Sequence, residues 1–290
     1  MSRHRSLPRA RDTRVSTRKR LSQNFLTDAG AARLIVRSSG IDADDLVLEI
    51  GPGDGMLTRH LLTTAGRVHA YEKDAHYADR LRRRYAGNAR ISLYNKDFRA
   101  VHEPGEPFAV VANVPFAVTT DVVRWCLAAR RLTSATLLTQ LEFARKHSGD
   151  YGRWTKLTVT HWPTVAMELG ARIGRGSFHP VPRVDTAILH LRRRPNPLLP
   201  TSALPDYRRL VELGFSGIGG SLANSLRHEF PARTVRAACT TAGVAPTEPV
   251  GLIDPDRWLV LYRSLRTPAN SHRYRNVSDT FMYQTRKGAP

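Results

Sequence analysis

From Leu21 onward, short apolar runs rich in β-branched residues alternate with amphipathic stretches. LVLEI (46–50) reads as a buried strand, MLTRHLLTTA as the helix after it, and RVHAYE (67–72) as the next strand. A second amphipathic stretch sets Ala78, Leu81 and Tyr85 on one face and Arg80, Arg82, Arg83 and Arg84 mostly on the other. RISLY (90–94) and FAVVAN (108–113) follow as strands, then a helix opened by Thr119 and Thr120, then the strand SATLLTQ (134–140). Strands alternating with helices predict an α/β, Rossmann-like sheet that is mostly parallel. TKLTVTHW (155–162) and TAILHL (186–191) read as late strands joined through turn-rich sequence, so a late antiparallel strand is expected. After the Pro-rich RRRPNPLLP (192–200) the period becomes helical, as in Tyr207, Leu210, Val211 and Phe215, then Trp258, Leu259, Leu261, Tyr262 and Leu265. Four segments result: an arm over 1–20, a catalytic domain over 21–197, a helical domain over 198–265 and a tail over 266–290.

Charge adds a partner class. The formal net charge is +20 over 290 residues. Residues 1–20 carry eight basic side chains and one acid, residues 266–290 five and one, which leaves +9 for the rest. Basic ends on a basic body suit a polyanion, because each neutralised phosphate releases condensed counterions. Coding bias towards Arg, Ala, Gly and Pro would produce the same excess without a partner.

Other features close doors. Two distant cysteines, Cys126 and Cys239, offer neither a disulfide framework nor a Cys-ligated zinc site, and no close His pair has metal spacing. No apolar run reaches membrane-spanning length, and the basic N-terminus lacks a signal peptide's apolar stretch. No Gly-Lys-Ser or Gly-Lys-Thr follows a glycine loop, which argues against ATP hydrolysis. A cytoplasmic, metal-free protein with no membrane partner is expected.

Chemistry concentrates at strand ends. EIGPGDG (49–55) sits between a strand and a helix, where Gly51 and Gly53 allow a tight turn and close approach of a ligand. Glu72 ends the next strand, 21 residues after Gly51, where an acid can accept both hydroxyls of a ribose. Together they point to a nucleoside-bearing cofactor, a dinucleotide or S-adenosylmethionine. Asp54 stands where a pyrophosphate would approach, and its charge favours a cationic sulfonium ligand. Asp97 closes the third strand, where it can accept from an adenine amine with Phe98 covering the ring, or can simply cap a turn. Asn113-Val114-Pro115-Phe116 closes the fourth strand on the same edge. An amino group on adenine is a poor nucleophile because its lone pair is delocalised into the ring. Asn113 Oδ1 and the Val114 carbonyl can accept its two hydrogens and free that lone pair, Pro115 restrains the backbone, and Phe116 offers a stacking face.

Leu21-Ser22-Gln23-Asn24-Phe25-Leu26, EIGPGDG, Glu72, Asp97-Phe98 and Asn113 to Phe116 come in the order and spacing of the ribosomal-RNA adenine N6-methyltransferases. QLEFARKHSGDYGRW (140–154) and SFHPVPRVD (177–185) resemble the erythromycin-resistance (Erm) branch, as does Ser22 in place of glycine. Phe116 replaces the commoner Tyr, which keeps the stacking face and drops a hydroxyl. The resemblance implies that Asn24 and Leu26 line the pocket of S-adenosyl-L-methionine, that Gly51 meets its methionine portion, Glu72 its ribose and Asp97 its adenine. It implies that Asn113 stands between cofactor and target, and that Phe178 is a second aromatic against the flipped base, against which stands plain burial before a Pro turn. Trp125, Cys126 and the scattered histidines read as packing or surface. The implied activity is methyl transfer to N6 of one adenine of 23S rRNA, before complete ribosome assembly, by a monomer. The resemblance also implies that this methylation blocks macrolide, lincosamide and streptogramin B binding. Small-subunit rRNA dimethylation is the alternative, and a non-catalytic nucleic-acid-binding relative a second one. An NAD-dependent oxidoreductase lacks a hydride-transfer constellation here.

Overall fold

The computed structural model describes residues 24–217 and 220–266; the arm over 1–20, the string Leu21 to Gln23 and all of the tail beyond Arg266 lie outside them. The described residues form two compact units, one built from 24–144 with 169–191, the other from 145–168 with 192–217 and 220–266.

In the first unit the expected alternation is realised. A two-residue strand β1 (Phe25–Leu26) precedes α1 (Ala29–Ser39), β2 (Leu46–Ile50), α2 (Met56–Leu61), β3 (Arg67–Glu72) and α3 (Ala75–Arg84). Then come β4 (Ile91–Asn95), β5 (Phe108–Asn113), α4 (Thr119–Ala128), β6 (Leu132–Gln140) and α5 (Leu141–Ser148). The helices start where the sequence supplies caps: Asp28 accepts from the Gly30 and Ala31 amides, and Asp74 from that of His76.

Later elements are α6 (Lys156–His161), β7 (Val165–Ile173), β8 (Phe178–His179) and β9 (Thr186–Arg193). Seven strands form one sheet in the order β4-β3-β2-β5-β6-β9-β7, mostly parallel with one antiparallel strand, while β1 pairs antiparallel with β8 apart from it. Every residue of β2 is buried, and β2 pairs in parallel with β3 on one side and β5 on the other. The chain winds outward from β2 through β3 to β4, then returns to the other side of β2 as β5. The loops after β2 and β5 therefore diverge, and a crevice opens at their carboxyl ends.

Two expectations are corrected. TKLTVTHW is not a strand: Thr155 caps α6 by accepting from the Thr158 amide, and Val159 enters a helical core. Over so few residues the alternation of Leu157 and Val159 also fits a helix, and the cap decides. Conversely β7, which the turn-rich reading passed over, is a nine-residue strand.

The second unit holds α7 (Leu204–Gly214), α8 (Leu222–Leu226), α9 (Ala232–Thr241) and α10 (Pro255–Leu265). Tyr207, Leu210, Val211, Trp258, Leu259, Leu261, Tyr262 and Leu265 are all buried in its core, as their period predicts; Phe215 is half-buried. Val159, with Trp154 and Trp162, packs with these helices rather than with the sheet. The Tyr207 hydroxyl donates to the Val159 carbonyl at 3.0 Å, and Trp162 Nε1 donates to Asp256 at 2.9 Å.

Candidate functional site

At the crevice, a recess with about 440 Å³ of empty space is lined from three directions. Gly51, Gly53 and Glu72 come from β2 and β3, Asn113 to Phe116 from β5, and Asn24 and Phe25 from the segment before α1.

The glycines are there for geometry. Gly51 (φ +65°) and Gly53 (φ +53°) lie in the left-handed region, and a Cβ at Gly53 would come within 2.8 Å of the Phe25 ring. The Gly53 amide donates to Glu72 Oε2 at 3.0 Å, and the Asp74 amide to Oε1 at 2.9 Å. Glu72 thus ties the glycine loop to the start of α3 while 4% exposed. Burial raises its pKa, and those two amide bonds oppose the rise. Each carboxylate oxygen keeps a further lone pair for a ribose hydroxyl.

Asn113 Nδ2 donates to the Asn24 carbonyl at 3.0 Å, so the amide is turned with Oδ1 as its remaining acceptor. Val114 is fixed by its amide, which donates to the Leu138 carbonyl at 3.1 Å. Pro115 leads into a single tight turn over Phe116–Val118, closed by the Val118 amide on the Pro115 carbonyl at 3.0 Å. The Thr119 hydroxyl donates to the Phe116 carbonyl at 3.2 Å. Phe116 is half-exposed at the recess, with a ring available for stacking.

Four other expected residues lie outside this recess. Asp97 is engaged by cations: Lys73 Nζ donates to it at 2.7 Å, Arg99 Nη2 at 2.7 Å and Arg99 Nε at 3.1 Å. It also accepts from the Arg99 amide and so caps a short turn. The Arg99 and Lys73 partners hold its carboxyl far below the usual carboxylate range. Phe98 is buried against Tyr71 and Trp125. Phe178 is 3% exposed in the core cluster that also holds Leu26, and pairs with it between β8 and β1. Burial before a Pro turn describes Phe178, and no open ring face awaits a base.

Leu26, also buried, lines a second, smaller recess of about 290 Å³ together with Glu49, Gly51, Asp54 and Asn113. Asp54 is paired there with Arg80 at 2.5 Å, so part of its charge is already answered. Trp125 and Cys126 pack as expected; the indole donates to the Val101 carbonyl at 2.9 Å, and Cys126 is fully buried.

Sequence reasoning missed Phe25 and Glu49. Phe25 sat within the N-terminal string, and its role as a wall is set by the absence of a side chain at Gly53. Glu49 opens EIGPGDG but reads as one polar interruption of a buried strand. It is 1% exposed, its Oε2 has no hydrogen-bond partner, and burial pushes its pKa up to about 8. Among the described residues no group of three His, Cys, Asp or Glu side chains is placed to hold a metal, and no helix is long and apolar enough to cross a membrane.

Comparison with known proteins agrees with this geometry. Residues 14–267 match the family described as ribosomal RNA adenine dimethylase. An rRNA methyltransferase of Streptomyces thermotolerans is 48% identical over 243 residues, covering 84% of this chain and 81% of the relative. The small-subunit rRNA methyltransferase A of Lactobacillus delbrueckii is 33% identical, covering 75% and 79%. The crystal structure of the 23S rRNA methyltransferase ErmE superimposes with a TM-score of 0.81 at 44% identity, covering 84% of this chain and all of that one. The chain therefore belongs to the ribosomal RNA adenine N6-methyltransferases, on their erythromycin-resistance branch.

Proposed function

We propose that this protein transfers a methyl group from S-adenosyl-L-methionine to N6 of one adenine in 23S rRNA, and so confers resistance to macrolides, lincosamides and streptogramin B. The observation that carries the reading is the setting of Asn113. Its amide is anchored by the Asn24 carbonyl, and Oδ1 remains as an acceptor in a recess shared with the glycine loop and Phe116. Higher identity to the 23S enzymes than to the small-subunit one supports the choice of RNA.

The donor, when bound, supplies an electrophilic methyl on a sulfonium. The residues present fit it. The Gly53 cradle has no room for a Cβ, and the Glu72 oxygens retain acceptor capacity. Asn113 Oδ1 and the Val114 carbonyl accept the two hydrogens of the target amine and favour a pyramidal nitrogen. Phe116 holds the extruded base by stacking, as adenine must leave its helix to be reached. No strong base is required, because the proton leaves once the nitrogen is cationic. Asp97 and Phe98 take the adenine of the donor, Lys73 yielding its place on the carboxylate. The helical unit binds RNA backbone through exposed arginines such as Arg208, Arg227, Arg233 and Arg236. The enzyme acts in the cytoplasm as a monomer on rRNA not yet fully assembled.

Expression in a macrolide-sensitive bacterium, followed by primer extension across both rRNAs, tests the reading. A new stop in 23S rRNA with raised macrolide tolerance is expected. Paired stops in the small-subunit rRNA would reassign the substrate, and no stop in either would leave a nucleic-acid-binding relative.

A further inference from the structure

The loop between β8 and β9 carries an apolar tip that no role described so far uses. Val181 is 62% exposed and Val184 38%, two of the five large apolar side chains left open among the described residues, and both stand in one span of four. A lone exposed valine needs no explanation, but two on so short a loop form a small apolar tip. Both ends of the loop are anchored on the rim of the larger recess. At its start, β8 pairs antiparallel with β1, His179 opposite Phe25, and that register carries the chain out beside Asn24, whose carbonyl holds Asn113. At its end, the Asp185 carbonyl accepts from the Leu141 amide at 2.8 Å, three residues beyond Leu138, whose own carbonyl holds the Val114 amide. The Arg175–Asp185 ion pair at 2.9 Å and the buried Pro182 tie the loop down between these points. Val181 has little freedom left to lose on contact, because a residue before proline keeps to extended backbone and a β-branched side chain has few rotamers.

We propose that Val181 is a wedge for the target RNA strand: it enters the stack as the adenine leaves it, with Val184 widening the apolar tip and Arg183 taking a flanking phosphate. This deepens the proposed function and rests on it. The base must be extruded to reach Asn113 and Phe116, and extrusion leaves the faces of its two neighbours unstacked. An aliphatic side chain inserted between base steps recovers part of that loss. It carries no hydrogen-bonding group, so it favours a vacated stack whatever the neighbouring bases are. Charge and size select the occupant. Arg183 is exposed between the two valines in the chain and has no acidic partner among the described residues. Arg172 and Arg175 are exposed as well, and the Thr186 hydroxyl, donating to the Ile173 carbonyl at 2.8 Å, sets their segment beside the end of the loop. Such cations suit a phosphate backbone. A stable protein partner would need about 800 Å² on each side, far more than two valines present.

Fluorescence and rates together separate a wedge from a simple contact. A hairpin of the rRNA spanning the adenine that primer extension locates is made with 2-aminopurine at that position, whose emission rises when it leaves a stack. With the full chain and S-adenosylhomocysteine, the donor without its methyl group, the parent should raise the emission and Val181→Ala should lose most of the rise. Single-turnover methyl transfer to the unlabelled hairpin should fall by about tenfold or more in Val181→Ala. Val181→Leu, which keeps an apolar tip, should retain most of the rate. On a hairpin made abasic at both neighbours of the target there is no stack to enter, and parent and Val181→Ala should transfer equally fast. S-adenosylhomocysteine affinity and the thermal melt should not move, because Val181 lines neither recess and lies outside the core. Arg183→Gln should weaken hairpin binding and lower the slope of log K against log salt by about 0.7–0.9. Val181→Ala with the emission and rate of the parent on the intact hairpin, or with an equal loss on intact and abasic RNA, overturns the wedge and leaves the methyltransferase reading standing. Absence of transfer by the parent to either rRNA overturns the methyltransferase reading, and the wedge with it.

Discussion

Adding one methyl group at Gly53 tests how the recess is built. In Gly53→Ala the new Cβ would lie 2.8 Å from Cδ1 and Cε1 of Phe25, too close for any carbon pair, at a φ of +53°. A left-handed backbone at a residue with a Cβ costs roughly 1–2 kcal/mol. Phe25 cannot yield freely, because β1 is paired with β8 and its ring rests on Tyr77 with centroids 5.1 Å apart. Breaking that aromatic contact adds about 0.5–1.5 kcal/mol. The sum is about 2–3 kcal/mol of stability, or roughly 4–12 °C in Tm for a chain of this size. The displaced ring is also a wall of the recess, so S-adenosylhomocysteine affinity should fall at least tenfold, about 1.4 kcal/mol. Gly87→Ala is the matched control: φ is +81° and nothing lies within 4 Å of its Cβ, so it carries the backbone cost alone. Thermal melts and calorimetry on both variants separate the terms. Gly53→Ala with the affinity of the parent and a melt like that of Gly87→Ala would refute the role of Phe25 as a wall held by the glycine loop.

Asn113→Ala should leave S-adenosylhomocysteine affinity within a few-fold and lower methyl transfer by about 10²–10³, since it removes one preorganised partner of a developing charge; turnover within tenfold of the parent would contradict that role. Phe116→Ala should be severe and Phe116→Tyr mild, measured as single-turnover rates, if the ring face and not a hydroxyl is what counts. For Glu49 the folded pKa of about 8 stands above its reference of 4.5, so the folded state holds more protons between those values and stability falls as pH rises through them. Urea melts at pH 5.5 and 8.5 should show a decline of up to about 3 kcal/mol in the parent, and Glu49→Gln should remove most of it. Phe178→Ala should destabilise by about 3–5 kcal/mol as a core truncation; an unchanged melt with lost transfer would mark Phe178 as a surface for the target base instead.

Much of the cofactor-side architecture is legible along the chain because it is local. A five-residue run, apolar but for Glu49, followed by glycines at 51, 53 and 55 specifies a strand and a tight turn whatever surrounds it. The distance from Gly51 to Glu72 is one helix plus one strand, so the acid must end the next strand. The helical period beyond Leu204 names its own buried face. What local pattern does not carry is which strands become neighbours. The crevice exists because β5 joins β2 on the side away from β3, and only that order sets Asn113 across from Gly51. Likewise, nothing near Asp97 announces Lys73, 24 positions earlier, as its ion-pair partner at 2.7 Å. Phe178 is an aromatic before a proline in either role, and its pairing with Leu26, over 150 positions away in the chain, is what buries it. Residues 155–162 show the limit most plainly, since an eight-residue segment fits both periods and one Thr155 cap with a helical core around Val159 settles the outcome. The burial of Glu49 is of the same kind. A carboxyl on a central strand is ordinary as a sequence letter, and becomes a proton-bearing group only when helices and neighbouring strands shut water away from it.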